Sequence, residues 1–337
     1  MVDILRDSRT WRFFMLHLAH EIINGKRLCA EDDLSFFITA NLSELAAGAD
    51  LIRKELCGDR ADLCSIINGR GGRCSEDCRF CAQSAHNHTN CEVYGFLPAE
   101  KFTEDCRKIY AKGVDRYSIV TAGKTLTGAD LEIAVESYRR MHEECPDIIL
   151  CASHGLMEEG DLRRLKDAGV TMYHANIETS ERFFPSICST HTFADKLEEV
   201  RRARAAGMTI CCGGILGMGE TWEDRISMAL TLAELDVESI PLNFLIPVKG
   251  TPLGDREKLA PEEITRIVAM FRYINPTADI RIAAGRSYFE DGGAVLFRSG
   301  ANATLTGDML TTVGNNTAQD RAMLTAMGYA LKPVPEI

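Results

Sequence analysis

Apolar residues in the first 60 positions recur at helical spacing: Leu42, Leu45, Ala46, Ala49, Ile52 and Leu56 share one face, with Asn41 placed to cap the helix and Gly58 to stop it. Beyond that stretch the pattern changes. Short apolar or β-branched runs alternate with amphipathic helical stretches, giving strand candidates at 63–68, 116–121, 148–153, 171–177, 208–216, 239–246, 279–284 and 303–306. Eight alternations predict an α/β fold in which parallel βα units close into a TIM-type (βα)8 barrel. Gly113, Gly169 and Gly207 each follow a Lys- or Arg-containing helical stretch, as residues that end a helix and hand the chain to a strand. The chain therefore reads as an N-terminal helical extension over 1–60, a lid or plug, ahead of a barrel over 61–337, all one domain. In such a barrel the chemistry sits at the C-terminal ends of the strands.

Composition agrees with a single unit. The chain has 337 residues, 45% of them hydrophobic, with 10 prolines and no low-complexity break. Its longest apolar runs, such as Ile240 to Val248, fall short of the roughly 20 residues a membrane span needs, so no membrane partner is expected and the protein should be soluble. A net charge of −11 argues against nucleic acid, whose partners carry a basic stripe. Arg201, Arg202 and Arg204 read as the solvated face of a helix. Thirteen cysteines without a secretory signal imply a reducing cytoplasm, and an anaerobic one if they bind iron–sulfur clusters.

Three of those cysteines stand as Cys74-x3-Cys78-x2-Cys81. Structural zinc wants four ligands, and His86, His88 and Cys91 do not supply the second pair that zinc motifs carry. A [4Fe-4S] cube also takes four thiolates as a rule. A three-cysteine loop therefore leaves one iron for a ligand from outside the protein.

Other candidates lie on the barrel strands. Cys151, Cys211 and Arg281 fall on the third, fifth and seventh strands, where alternate residues face inward and could converge on one point. Singly, each has a plainer reading, as a buried thiol or a carboxylate's partner. The run Gly213-Gly-Ile-Leu-Gly-Met-Gly-Glu220 imitates a dinucleotide fingerprint, but only Asp236 offers the acidic residue that fingerprint requires. Its glycines, with Gly217 and Glu220, are expected to let the backbone approach a cofactor adenine.

The triplet, with Phe80 directly before its last cysteine, resembles the radical S-adenosylmethionine (SAM) superfamily. That resemblance implies that the open iron chelates SAM and that one electron splits the sulfonium to a 5′-deoxyadenosyl radical. From about Ile66 to Met327 the chain resembles the biotin synthases. The resemblance rests on residues 74–84, Tyr173 to Ser180, Cys211 to Glu220, Pro241 to Leu253, Arg281 to Arg286 and Met309 to Thr312. It implies sulfur insertion into dethiobiotin, with sulfur drawn from an auxiliary iron–sulfur cluster held by three cysteines and an arginine. Cys151, Cys211 and Arg281 match three of those four ligands. Asn176 and Glu178 match a pair that contacts the SAM ribose and substrate, and with Arg281 they form the expected catalytic set. Asn243 matches a residue near the substrate's ureido ring, and Lys196 one near the cofactor carboxylate.

The fourth auxiliary ligand departs from the family, since Ser118 stands where the second-strand cysteine belongs. Cys188, in the loop after the fourth strand, is the preferred replacement, with Cys212 and Cys91 as alternatives. The cluster is then a [2Fe-2S] or a larger four-iron species with an extra sulfide. An electron donor such as flavodoxin or ferredoxin and a homodimer are further implications of the resemblance. Two other readings stay open: a radical mutase or metal-cofactor maturase lacking a sulfur donor, favoured by Ser118, and a non-catalytic electron carrier.

Overall fold

The apolar runs form strands where their spacing places them. The structure, a computed structural model, describes residues 8–307 and 316–335. Its strands are β1 Asp62–Arg70, β2 Arg116–Thr121, β3 Ile149–Ser153, β4 Val170–His174, β5 Thr209–Cys211, β6 Gly214–Leu216, β7 Ser239–Phe244, β8 Asp279–Ile282 and β9 Ala303–Leu305. All pair in parallel in the order β5-β4-β3-β2-β1-β9-β8-β7-β6, and Cys211 opposite Ser239 joins β5 to β7 and closes the barrel. The predicted fifth strand is interrupted at Cys212 and Gly213, so β5 and β6 share one of eight barrel positions. The predicted fourth strand ends early, at His174, where the chain turns into the mouth.

The helices are α1 Ser8–Ile23, α2 Phe36–Thr39, α3 Leu42–Cys57, α4 Ala99–Tyr110, α5 Gly128–Glu144, α6 Glu159–Asp167, α7 Phe193–Ala205, α8 Trp222–Glu234, α9 Pro261–Ile274, α10 Ala294–Phe297 and α11 Thr317–Ala326. Asn41 caps α3 as expected, its side-chain oxygen accepting from the Ser43 and Glu44 amides. Gly113, Gly169 and Gly207 have φ of 67°, 107° and 82°, the left-handed conformation in which a chain leaves a helix. Between helices and barrel lies a dry layer that includes Phe102, Tyr117, Ile210, Leu232 and Ile240, all fully buried. Arg201, Arg202 and Arg204 on α7 pair with Glu198, Glu158 and Glu238 on the surface.

The described part of the N-terminal extension flanks the barrel instead of covering its mouth. Gly48 of α3 sits so close to α9 that a Cβ there would lie 1.8 Å from the Tyr273 hydroxyl. Tyr273 also donates to the Met15 carbonyl at 3.0 Å, and Arg266 to the Phe37 and Ala40 carbonyls at 3.0 and 2.7 Å. These contacts bind the extension to the barrel's outer helix layer. Among the described residues, the first to line the mouth cavity is Cys64.

Two buried polar groups organise the interior. Asp62, opening β1, accepts from Arg116 Nε at 2.9 Å and from Arg281 Nη2 at 2.6 Å, forming a charged floor. Burial opposes ionisation of Asp62, but the Arg281 and Arg116 guanidiniums outweigh it and hold the carboxyl below its usual range. Behind β3, His154 is fully buried, with ring nitrogens 3.0 Å from the Tyr138 hydroxyl and 3.2 Å from the Thr121 hydroxyl. Burial depresses its pKa to about 3, and the Arg70 guanidinium adds to the depression.

That depression predicts an acid-sensitive fold. Stability from neutral His154 is fully present above the unfolded-chain value near 6.5 and is lost as pH falls toward 3, by about 3 kcal/mol at a pH of about 4.5. Urea unfolding of the cluster-free protein across this range will show the loss, and His154→Gln will flatten the slope by about one proton.

Candidate active site

The C-terminal ends of the strands surround a cavity of about 430 Å3. Into it the loop after β1 carries Cys74, Cys78 and Cys81. Residues just past the triplet fix that loop. Cys74 donates its amide to the Gln83 carbonyl at 2.9 Å and accepts from Ala85 N at 2.8 Å, while Gln83 Oε1 accepts from Asn68 Nδ2 and Gly72 N, both at 3.1 Å. Asn87 donates to the Cys78 and Cys81 carbonyls at 3.1 and 2.8 Å. Burial pushes the Cys81 thiol up to about 11, so at neutral pH a cation has to displace its proton. Three thiols on one short, tied loop fit a [4Fe-4S] cluster, of which Cys74, Cys78 and Cys81 would hold three irons.

Deeper in the barrel is a second thiol group that includes a residue the sequence did not single out. Cys151 and Cys211 pack together beside Met172, and Cys64 of β1 is within electrostatic reach of both and of Arg281. All four are buried and line the cavity. Burial raises the three thiols, Cys64 to about 12, and the Arg281 guanidinium only partly offsets it. Ser118 faces the same space. It pairs with Cys151 across β2–β3, and its buried hydroxyl has no hydrogen-bond partner. An orphaned hydroxyl beside three thiols and a guanidinium fits a metal–sulfur group.

Register relates Cys64 to Ser118. Across β1–β2, Ile66 stands opposite Ser118 and Cys64 opposite Arg116, so Cys64 lies one strand over and two residues deeper, with the same inward parity. The signal was available in that parity, because Ile66 also lines the cavity. Cys64 is nevertheless in an apolar strand, where a cysteine ordinarily serves as a small hydrophobe.

The three cysteines proposed to replace the missing ligand lie elsewhere. Cys188 belongs with the radical loop, its Sγ 3.8 Å from Cys78 Sγ and 3.2 Å from Asp77 Oδ1. Cys212, one step out of phase with Cys211, is buried outside the cavity near Lys196 and Glu199. Cys91 is off the cavity, its thiol 3.5 Å from the Glu92 carbonyl.

Phe80, Asn176, Glu178, Lys196, Asn243 and Arg281 do line the cavity. Asn176 Oδ1 accepts from Gly213 N at 3.0 Å, and Asn243 donates to the Gly214 carbonyl at 3.2 Å. Glu178 has φ of 67°, a conformation that costs a non-glycine residue of order 1 kcal/mol. Its carbonyl accepts from Ile215 N at 2.8 Å, so the strained turn is stitched to β6. Burial raises its carboxyl, and Lys196 only partly opposes this. Burial alone would lower the Lys196 ammonium, but Glu199 and Glu178 outweigh it and hold it up. Arg281 is fully engaged, donating to Asp62, Thr304 O and Ser239 Oγ.

Gly217 and Glu220 are not in the cavity. Glu220 folds back on its own turn, accepting from the amides of Gly217, Met218 and Gly219 at 2.8, 2.8 and 3.0 Å and from Arg225 Nε at 2.8 Å. The glycines serve packing between protein segments: a Cβ at Gly214 would lie 2.2 Å from the Glu178 carbonyl oxygen. The stretch Met309 to Thr312 lies outside the described residues.

Comparison with known proteins shows the family. Residues 70–232 match the Radical SAM superfamily and residues 241–330 match BATS, the Biotin and Thiamin Synthesis associated domain. A biotin synthase of Alkaliphilus metalliredigens is 60% identical over 314 residues, covering 93% of this chain and 98% of that protein. The chain belongs to the biotin synthase family. It is a radical SAM sulfurtransferase, and its resident cofactors are a [4Fe-4S] cluster and SAM. A biotin synthase of Clostridium beijerinckii is 57% identical over 94% of this chain and the whole of its own length. Among solved structures, methylornithine synthase has a TM-score of 0.80 at 20% identity, covering 94% of this chain and 98% of its own. The FeFe-hydrogenase maturase of Carboxydothermus hydrogenoformans has a TM-score of 0.76 at 16% identity, covering 96% and 84%. These two show the shared barrel alone. No helix among the described residues is long and apolar enough to cross a membrane.

The engagement of Glu220 predicts a structural phenotype. Glu220→Gln removes a charge that accepts four donors, so unfolding should become easier by about 2 kcal/mol. SAM affinity measured by equilibrium dialysis should change less than about twofold, whereas an adenine-contacting role would show the reverse.

Proposed function

We propose that this protein converts dethiobiotin to biotin in the mouth cavity, with Cys64, Cys151, Cys211 and Arg281 holding the sulfur-donating auxiliary cluster. The observation that carries this reading is that both thiol groups line one cavity. When bound, the [4Fe-4S] cluster with SAM supplies a 5′-deoxyadenosyl radical, and the auxiliary cluster supplies sulfide. Unactivated C–H bonds offer no acidic proton, so the protein's task is positioning and exclusion of water.

The residues present suit that task. Cys74, Cys78 and Cys81 would hold three irons, leaving the fourth for the amino and carboxylate groups of SAM. Asn176 and Glu178, on their strained turn, would take the ribose hydroxyls, and the Lys196 ammonium would face the SAM carboxylate. Asn243 would offer its amide to the ureido ring. Ile66, Val120, Ile215 and Leu305 line the same cavity with hydrocarbon, which would keep solvent from a radical. Arg281 stays cationic beside Asp62 and balances the negative charge that three thiolates bring. Movement of one ligand from β2 to β1 favours a cluster larger than [2Fe-2S], a four-iron species with an added sulfide.

The reading extends to a one-electron donor such as flavodoxin or ferredoxin. Arg73, Arg79 and Lys124 are exposed around the radical loop, which suits an acidic carrier. A homodimer is part of the same reading and is checked by sedimentation velocity.

Anaerobic incubation of reconstituted protein with SAM, dethiobiotin and dithionite tests the function directly. Biotin should form with about two 5′-deoxyadenosines each, one per C–H bond broken. Deoxyadenosine formed without biotin would overturn the sulfur-insertion reading.

A further inference from the structure

We propose that before any cluster is loaded, Cys78, Cys188 and His191 hold a single soft divalent cation, in a site that borrows one thiol from the radical loop. The ligand atoms of these three residues all lie within 4.8 Å of one another. The Cys78 and Cys188 sulfurs are 3.8 Å apart. A tetrahedral zinc-type ion with metal–sulfur bonds of about 2.3 Å places its two sulfurs about 3.8 Å apart and its nitrogen about 3.5 Å from each sulfur. His191 Nε2, the nitrogen that Glu76 leaves free, is 3.8 Å from Cys188 Sγ, slightly beyond that spacing, and Nδ1 is 3.4 Å away.

The surroundings are those of a built metal site. Glu76 Oε2 lies 2.6 Å from His191 Nδ1, which fixes the ring and leaves Nε2 as ligand, the carboxylate–histidine–metal arrangement of known zinc centres. Thr190 Oγ1 donates to the same Glu76 oxygen at 2.8 Å. Asp77 accepts from Ser189 N at 2.8 Å and Thr190 N at 3.2 Å, locking the 188–191 loop onto the cysteine loop. Glu76 and Cys188 are 7% and 5% exposed, so neither is a solvated surface group. Two thiolates and one imidazole select zinc or ferrous iron over magnesium or calcium, and a fourth position stays open to water.

Cys78 cannot serve this cation and the cluster together. Binding here is therefore exclusive with a complete [4Fe-4S] cluster, a clause that rests on the family reading of the triplet; the cation site itself does not.

The probe is Co2+ added anaerobically to cluster-free protein, read by tetrahedral d–d bands and thiolate-to-cobalt charge transfer. One tight equivalent is expected, with affinity lowered at least about 100-fold in Cys188→Ala and His191→Gln and about 10- to 100-fold in Glu76→Gln. Cys212→Ala controls for other buried thiols and should bind as the parent does. Thermal melts identify any variant that fails to fold, and Glu76→Gln, which keeps side-chain volume, then carries the test. Unchanged bands in Cys188→Ala or His191→Gln would overturn the site. Adding iron and sulfide should then release the cobalt as the cluster forms; cobalt retained beside a complete cluster would overturn exclusivity. A protein that binds cobalt yet never assembles a cluster would overturn the family reading and leave the cation site standing.

Discussion

Burial keeps a thiol protonated unless a cation takes the proton's place, and the barrel interior is built around that constraint. Moving a charge out of water costs several kcal/mol, which only close partners offset. The chain meets part of that cost in the floor, where Asp62 lies between the Arg116 and Arg281 guanidiniums. It leaves the rest unmet in Cys64, Cys151 and Cys211, whose thiols burial raises and no basic partner fully relieves. Metal binding inverts that balance, because a coordinating thiol is deprotonated outright.

The cavity between the two thiol groups is shaped by backbone as much as by side chains. Glu178 holds a left-handed conformation because its turn is sewn to β6, and β6 can come that close only because residue 214 has no Cβ. Asp77 performs the corresponding task on the other side by fastening the Cys188 loop to the radical loop. Strain at Glu178 and the close approach at Gly214 thus fall at the rim that faces the cavity, as is common at functional sites.

Local chemistry was the most legible part of the sequence. The cysteine triplet, the Asn41 cap and the three helix-ending glycines depend on neighbours within a few positions, and strand locations depend on short apolar runs. Closure of the barrel and the inward parity of Cys151, Cys211 and Arg281 followed from alternation. Cys64 was not legible by the same logic, because its place beside Cys151 and Cys211 depends on the β1–β2 register, which no local pattern displays. Cys188 misled because "at the mouth" does not say which thiol group it joins; Asp77, far away in sequence, decides that. Glu220 misled because a carboxylate after a glycine-rich turn serves its own backbone amides as readily as a ligand. The N-terminal helices carried a clear amphipathic stripe, yet a stripe does not say whether the partner is the mouth or, as here, α9.

Iron counting by Mössbauer spectroscopy on 57Fe-reconstituted protein, parent against Cys64→Ala, shows whether Cys64 holds an auxiliary cluster. If Cys64 is an auxiliary ligand, the variant keeps the four irons of the radical cluster, still forms 5′-deoxyadenosine from SAM, and loses the auxiliary signal. A Cys64→Ala protein with the parent's full iron content and spectrum would contradict the account, leaving Cys64 a buried thiol of the core.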